Sequence, residues 1–216
     1  MKLLKKEFRL CMHPTGFFMP LFSILVLVPG YPYGVCCFYT TLAIFFICLT
    51  ARENHDAAYT LTLPVSRNDA AFARILLCVC LEAAQLGIMA LFIPVKNALG
   101  AMPNPAGLDA GPALIGEGFL IYTIFNIIFF PRYFRDINKP GTAFLFSSTA
   151  VFLWLVLEII STYTVPFVRD VLDTPDPANA GLQVLFVLVS IALFAAGTWY
   201  STVRSGKAFS KVDLSL

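Results

Sequence analysis

Two carboxylates stand where apolar sequence surrounds them. Glu82 lies inside the run Ile75–Val95, and Glu158 lies inside Ala143–Thr164. A charged side chain at the centre of a membrane helix costs about 2.5–3.5 kcal/mol on insertion scales, so acids placed there face protein or a watery cavity. Gln85 and Asn126 are further polar groups in such runs. Together the four are candidates for the polar lining of a substrate path. The same side chains also serve as hydrogen bonds that only hold helices together. A proton relay needs a denser chain of acids and histidines than this.

Other chemistry is missing. The sequence has no Gly-rich phosphate loop, no His-Glu-x-x-His and no Gly-x-Ser-x-Gly, so neither a nucleotide site nor a catalytic residue is expected in this chain. His13 and His55 lack metal-ligand spacing, and no metal is expected. The cysteines Cys11, Cys36, Cys37, Cys48, Cys78 and Cys80 form no Cys-x-x-Cys pair and read as small buried hydrophobes. The adjacent Cys36 and Cys37 leave a redox switch as the alternative.

The elements that position these residues follow from hydropathy. Of 216 residues, 58% are hydrophobic and 13% charged, against about 25% charged in an ordinary soluble domain. The excess comes in long runs, and about 20 apolar residues cross a bilayer as a helix. The expected fold is an all-α membrane protein, one membrane domain over 1–216 with six transmembrane helices at about 16–30, 34–51, 74–95, 113–131, 142–165 and 182–203. The first is read as uncleaved, because no small-residue cleavage site follows Val28. Pro29–Gly34 makes the turn between the first two.

Charge parity supports six spans. Cytoplasmic loops collect Lys and Arg. With both ends cytoplasmic, thirteen of the fifteen basic residues fall on that side, and only Lys96 and Arg169 fall outside. Five spans would place Arg52, Arg67 and Arg74 opposite the basic amino end. Within 2–13, Lys2, Lys5, Lys6 and Arg9 share one helical face and Leu3, Leu4, Phe8 and Cys11 the other, which predicts an interfacial amphipathic helix. The expected setting is the cell membrane, with lipid as a partner and no nucleic acid.

The connection at 52–73 is the most informative. Asp56–Leu63 is expected to form a short helix with Tyr59 and Leu63 on one side, stopped by Pro64; Ser66 caps the next helix with Asp69 three residues on. An acid closing the second span, a Leu-x-Leu-Pro-Val-Ser-Arg turn and a basic residue opening the third resemble the permeases of type-two ABC exporters. The match is carried by Glu53, Tyr59, Leu61, Leu63, Pro64, Val65, Ser66, Arg67 and Arg74, with Arg at 74 where Lys is common. In size the chain is most similar to small bacterial permeases for peptides or antimicrobials.

The resemblance implies a transmembrane subunit of an exporter, and spans rich in Phe, Leu and Ile with few charges suit an amphipathic or hydrophobic substrate, a peptide, an antimicrobial or a lipid-like molecule. The resemblance also implies a second permease chain, identical or homologous, and two copies of a separate ATPase that binds ATP and Mg; this chain binds no cofactor. It makes the 52–73 connection a coupling helix in a cleft of the ATPase, with Glu53, Asp56, Tyr59, Leu63, Pro64, Ser66 and Arg67 as coupling residues. The alternatives are a membrane sensor, regulator or assembly protein without transport, and an intramembrane enzyme. The alternative for Leu63–Ser66 is an ordinary turn between two spans.

Overall fold

A computed structural model describes residues 2–100, 103–174 and 176–212. The ends Met1 and Leu216, expected in the cytoplasm, lie outside the described residues. Among those residues every regular element is a helix. Helix α1 (Lys2–Lys6) continues as a π-helical turn, Glu7–Cys11. Helix α2 (Thr15–Phe18) continues as a 3₁₀-helix, Met19–Leu27. Then come α3 (Val35–Glu53), α4 (Asp56–Leu61), α5 (Arg67–Ala98), α6 (Pro112–Tyr133), α7 (Pro140–Thr164) and α8 (Ala180–Phe209).

Five of these, α3 and α5 to α8, are long and apolar enough to cross a membrane; a sixth crossing exists only if the amino-terminal pair is joined. The first expected span is the one that departs. It ends at Leu27, not near 30, and most of it is 3₁₀. The wider rise of that helix stretches α2 and its continuation to roughly 24 Å, still short of a hydrocarbon core of about 30 Å. Leu3–Cys11 meets Thr15–Leu27 at a bend of 101°. Pro14 marks the corner.

The other spans run longer than hydropathy alone delimits. Helix α5 starts at Arg67 rather than 74, because Ser66 caps it: the Ser66 hydroxyl accepts from the Asp69 N–H at 3.1 Å. Helix α8 continues to Phe209. The predicted Pro-Gly hairpin is present, with Gly30 at φ +77°, a region that suits glycine.

Helix α6 is the most enclosed and α8 the least. Phe125, Phe129, Phe130 and Tyr133 of α6 are fully or almost fully buried, and Phe129 and Tyr133 stack 5.8 Å apart. Small residues let α6 and α8 approach closely. A Cβ on Gly116 would stand 2.7 Å from the Phe186 ring, and one on Gly197 would stand 2.8 Å from Thr123. The outward faces of α7 and α8 carry exposed Phe152, Leu157, Leu185, Leu188 and Trp199. A helix that is apolar all round, exposed faces included, belongs in lipid.

The helices sort the loops to two ends. One end holds α1, α4, the start of α5 and the close of α8. The opposite end holds the segments 103–111, 165–174 and 176–179. All six cysteines are unpaired; five are buried and Cys80 is half-buried, in keeping with a packing role.

A candidate coupling site and the intramembrane polar groups

Helix α4 forms in a tight space. Asn54 and His55 alone separate it from α3, and His55 takes the left-handed conformation at φ +51°. Asp56 sits in the first turn, where a negative charge complements the helix dipole. The helix closes at Leu61, two residues before the expected Leu63. Thr62 to Pro64 then turn the chain towards α5.

A closed ring of charge holds α4 down. Lys6 Nζ donates to Asp56 Oδ1 at 2.5 Å, to Thr60 Oγ1 at 2.7 Å and to Glu7 Oε1 at 3.1 Å. Arg74 Nη2 donates to the other Asp56 oxygen at 2.5 Å, and Arg74 Nε donates to Glu7 Oε2. Cations and carboxylates alternate around the ring, joining the amino-terminal helix, α4 and the start of α5. Glu7 and Arg74 are buried, and the side chains of Lys6 and Asp56 are nearly so. The π-helical turn makes this possible. Its wider spacing brings Lys6, Glu7 and Cys11 to the inner side, with Lys6 Nζ 3.5 Å from Cys11 Sγ. This corrects the expected stripe of four bases, because Lys6 points inwards and Glu7 with it.

Glu7, Cys11 and Asp56 bring one ligand atom each within 4.8 Å of one another, as a metal site would. The donor set does not fit an ion. Lys6 and Arg74 already neutralise both carboxylates, and burial pushes the Cys11 thiol up to about 12, so it stays protonated.

The ring is built to hold across neutral pH. Burial raises the Asp56 carboxyl, but Arg74 and Lys6 outweigh it and hold it below the usual carboxylate range. Its contribution is therefore full above about pH 4 and fades as pH falls through the lower folded value. Burial lowers the Lys6 ammonium, but its hydrogen bond to Asp56 and the Glu7 charge outweigh that and raise it. That contribution is full below about pH 10 and is lost only as pH rises through the raised value. Limited proteolysis of the amino-terminal helix should be flat from pH 5 to 9 and accelerate only below about pH 4. A release centred near pH 6–7 would contradict the assignment.

The other expected coupling residues divide. Tyr59, Leu63, Pro64 and Ser66 are exposed at the tip, and exposed Glu53 pairs with its neighbour Arg52 at 3.5 Å. Arg67 is engaged within the chain. Its Nη1 donates to the Phe209 carbonyl at 3.1 Å and to that of Val212, and its guanidinium lies 5.9 Å from the Phe209 ring. Asp56 faces the ring, away from the tip.

The intramembrane residues form two adjoining groups in the bundle and one apart. Glu82 is fully buried and accepts from Asn126 Nδ2 at 3.0 Å; Glu82 Oε1 and Asn126 Oδ1 have no partner among the described residues. Ser201 Oγ donates to the Asn126 carbonyl at 2.6 Å, tying α8 in. Gln85 Nε2 donates to Ser23 Oγ at 2.8 Å, and Tyr122 Oη donates to Gln85 Oε1. Glu158 stands apart, near the opposite end, where it accepts from the Leu108 N–H at 2.7 Å.

Sequence reasoning passed over two acids. Glu117 of α6 is buried and accepts from Trp154 Nε1 at 2.5 Å. The signal was present, since an acid in the run Leu114–Phe130 has the same standing as Glu82. Glu7 was hidden among basic neighbours, and nothing in its spacing separates it from a surface charge. At the opposite end Lys96, a base the charge count set apart, is buried, pairs with Asp109 and lies 5.0 Å from the Tyr33 ring.

The profile of the ABC-2 family transporter proteins matches residues 2–209 of the chain. No curated protein and no solved structure shows a match to it.

Proposed function

Because this chain belongs to the ABC-2 family of transporter proteins and is a multi-pass transmembrane subunit of that kind, we propose that it works as the permease of an ATP-driven exporter and docks a separate ATPase through the tip of α4 and the turn after it. The observation that carries the reading is that two exposed apolar side chains stand close in sequence at the end of the bundle, Tyr59 on α4 and Leu63 in the turn after it, with α4 anchored by the Lys6–Asp56–Arg74–Glu7 ring. A small interface depends on a few anchors, aromatic ones especially. A lever transmits force only when its base is fixed, and the ring fixes this one to α5.

The rest of the proposal follows from that role. Both chain ends and α4 face the cytoplasm, as the distribution of Lys and Arg favours. Leu3–Cys11 lies at the interface, and Thr15–Leu27 makes the sixth crossing that the distribution of Lys and Arg favours, its shortness met by local thinning of the bilayer. Two permease chains, identical or homologous, pair and take two ATPase copies. ATP and Mg are held by the ATPase, since this chain has no phosphate loop. The cargo is amphipathic or hydrophobic, and its outward direction rests on the resemblance to type-two exporters.

Affinity purification of the tagged chain from native membranes tests this. An ATPase with a phosphate loop should be recovered with it. A chain that inserts normally and recovers none would contradict the proposal.

A further inference from the structure

Between α6, α7 and the π-helical turn Val168–Leu172 lies a cavity of about 250 Å³. Leu108, Leu157 and Phe186 give it apolar walls, and Glu117, Glu158 and Trp154 give it a polar side. Two carboxylates thus line one small apolar chamber. Each accepts a single hydrogen bond from the protein, Glu117 from Trp154 Nε1 and Glu158 from the Leu108 N–H. Neither pairs with a cation among the described residues, and Glu117 Oε2 and Glu158 Oε2 receive no donor there. Gly107 packs directly against the Glu158 carboxylate: a Cβ on it would lie 2.8 Å from Oε1 and 3.0 Å from Oε2.

Depth adds a second constraint. Glu117 lies five residues into α6 and Glu158 six residues from the end of α7, both counted from the same end of the bundle. At about 1.5 Å per residue both sit roughly 7–9 Å in, the level at which the head of an amphiphile meets its tail. Exposed Leu157 stands at the cavity's lipid side.

We propose that this chamber is a binding site for a cationic amphiphile, one that places an ammonium or guanidinium group between Glu117 and Glu158 and its apolar body along Leu157 and Phe186. A bound cation would let both carboxylates ionise, which costs too much for a pair buried side by side in an apolar chamber without a counter-charge. The Trp154 ring adds an aromatic face suited to a cation. The cavity is smaller than sites that enclose a whole drug-sized molecule, so it takes a head group and the first part of a tail. The assignment deepens the transport reading by naming a class of cargo. The same chemistry is offered by the amine of an aminophospholipid, and the test separates the two sources.

Trp154 reports the site directly, since the only other tryptophan, Trp199, is on α8. In a Trp199→Phe background, the purified chain in phosphatidylcholine nanodiscs is titrated with a brominated dodecyltrimethylammonium probe. Brominated dodecyl sulfate and a brominated alkyl maltoside are the controls. The cationic probe should quench Trp154 at concentrations about tenfold lower than the other two. Glu117→Gln with Glu158→Gln should abolish that preference, while Glu117→Asp, which keeps the charge, should retain most of it if the double variant folds poorly. Equal quenching by all three probes would overturn the proposal. Preference lost when phosphatidylethanolamine replaces phosphatidylcholine would overturn the cargo assignment in favour of the lipid. The assay uses no ATPase, so its outcome is independent of whether an ATPase is recovered with the chain.

Discussion

Replacing Arg74 by Leu should lower the stability of the folded chain by about 3–5 kcal/mol, because the guanidinium is the group that two buried carboxylates share. Removing it leaves Glu7 and Asp56 with a single cation, Lys6. Lysine at 74 keeps the charge but cannot reach both carboxylates with a planar fork, so it should fall between. The loss should also be specific. The amino-terminal helix and α4 should become sensitive to protease while α6 and α8 stay protected. A cycle with Glu7→Leu separates charge from packing. If the cost of Arg74→Leu is the orphaned Glu7, adding Glu7→Leu should recover part of it. Thermal unfolding in one detergent across the four proteins checks this. An unchanged midpoint for Arg74→Leu would mean the ring contributes nothing to folding.

How much of this was legible follows from what each feature depends on. Five crossings were plain, because a run of apolar residues needs no partner to declare itself. The Ser66 cap was legible for the same reason: its hydrogen bond reaches three residues along the chain. The first crossing was misjudged in extent, because hydropathy does not distinguish a 3₁₀-helix from an α-helix and so cannot say how far thirteen residues reach.

The ring was not legible at all. Its members lie 50 and 67 residues apart along the chain. It depends on a π-helical turn, and a period of 3.6 assigned Lys6 to the wrong side of the helix. Arg67 shows the same limit. Its type and place suggested a partner protein, while its hydrogen bonds go to the end of α8, 142 and 145 residues away. Glu82 and Asn126 were each identified as polar intruders, but only packing of α5 on α6 makes them a pair. Glu117 followed from the reasoning applied to Glu82, since it too is an acid inside an apolar run, and was missed.

The coupling tip carries the functional account. Tyr59 is 53% exposed and Leu63 is 36% exposed, so neither is needed to fill the core. Changing both to Ala removes apolar contact area from the tip without touching Lys6, Asp56, Arg74 or Glu7. The double variant should therefore insert and unfold like the wild type. Its effect should lie in the complex: anchors of this kind cost about 2 kcal/mol or more on truncation, a weakening of roughly thirtyfold. The most direct measurement compares Tyr59→Ala with Leu63→Ala against wild type in the same membranes, scoring the ATPase recovered with the tagged chain and the ATP turnover of that complex. A stable chain that recovers little ATPase and no longer stimulates its turnover is the predicted result. Full recovery of the ATPase with unchanged turnover would contradict the account and leave Leu63–Ser66 as an ordinary turn between two crossings.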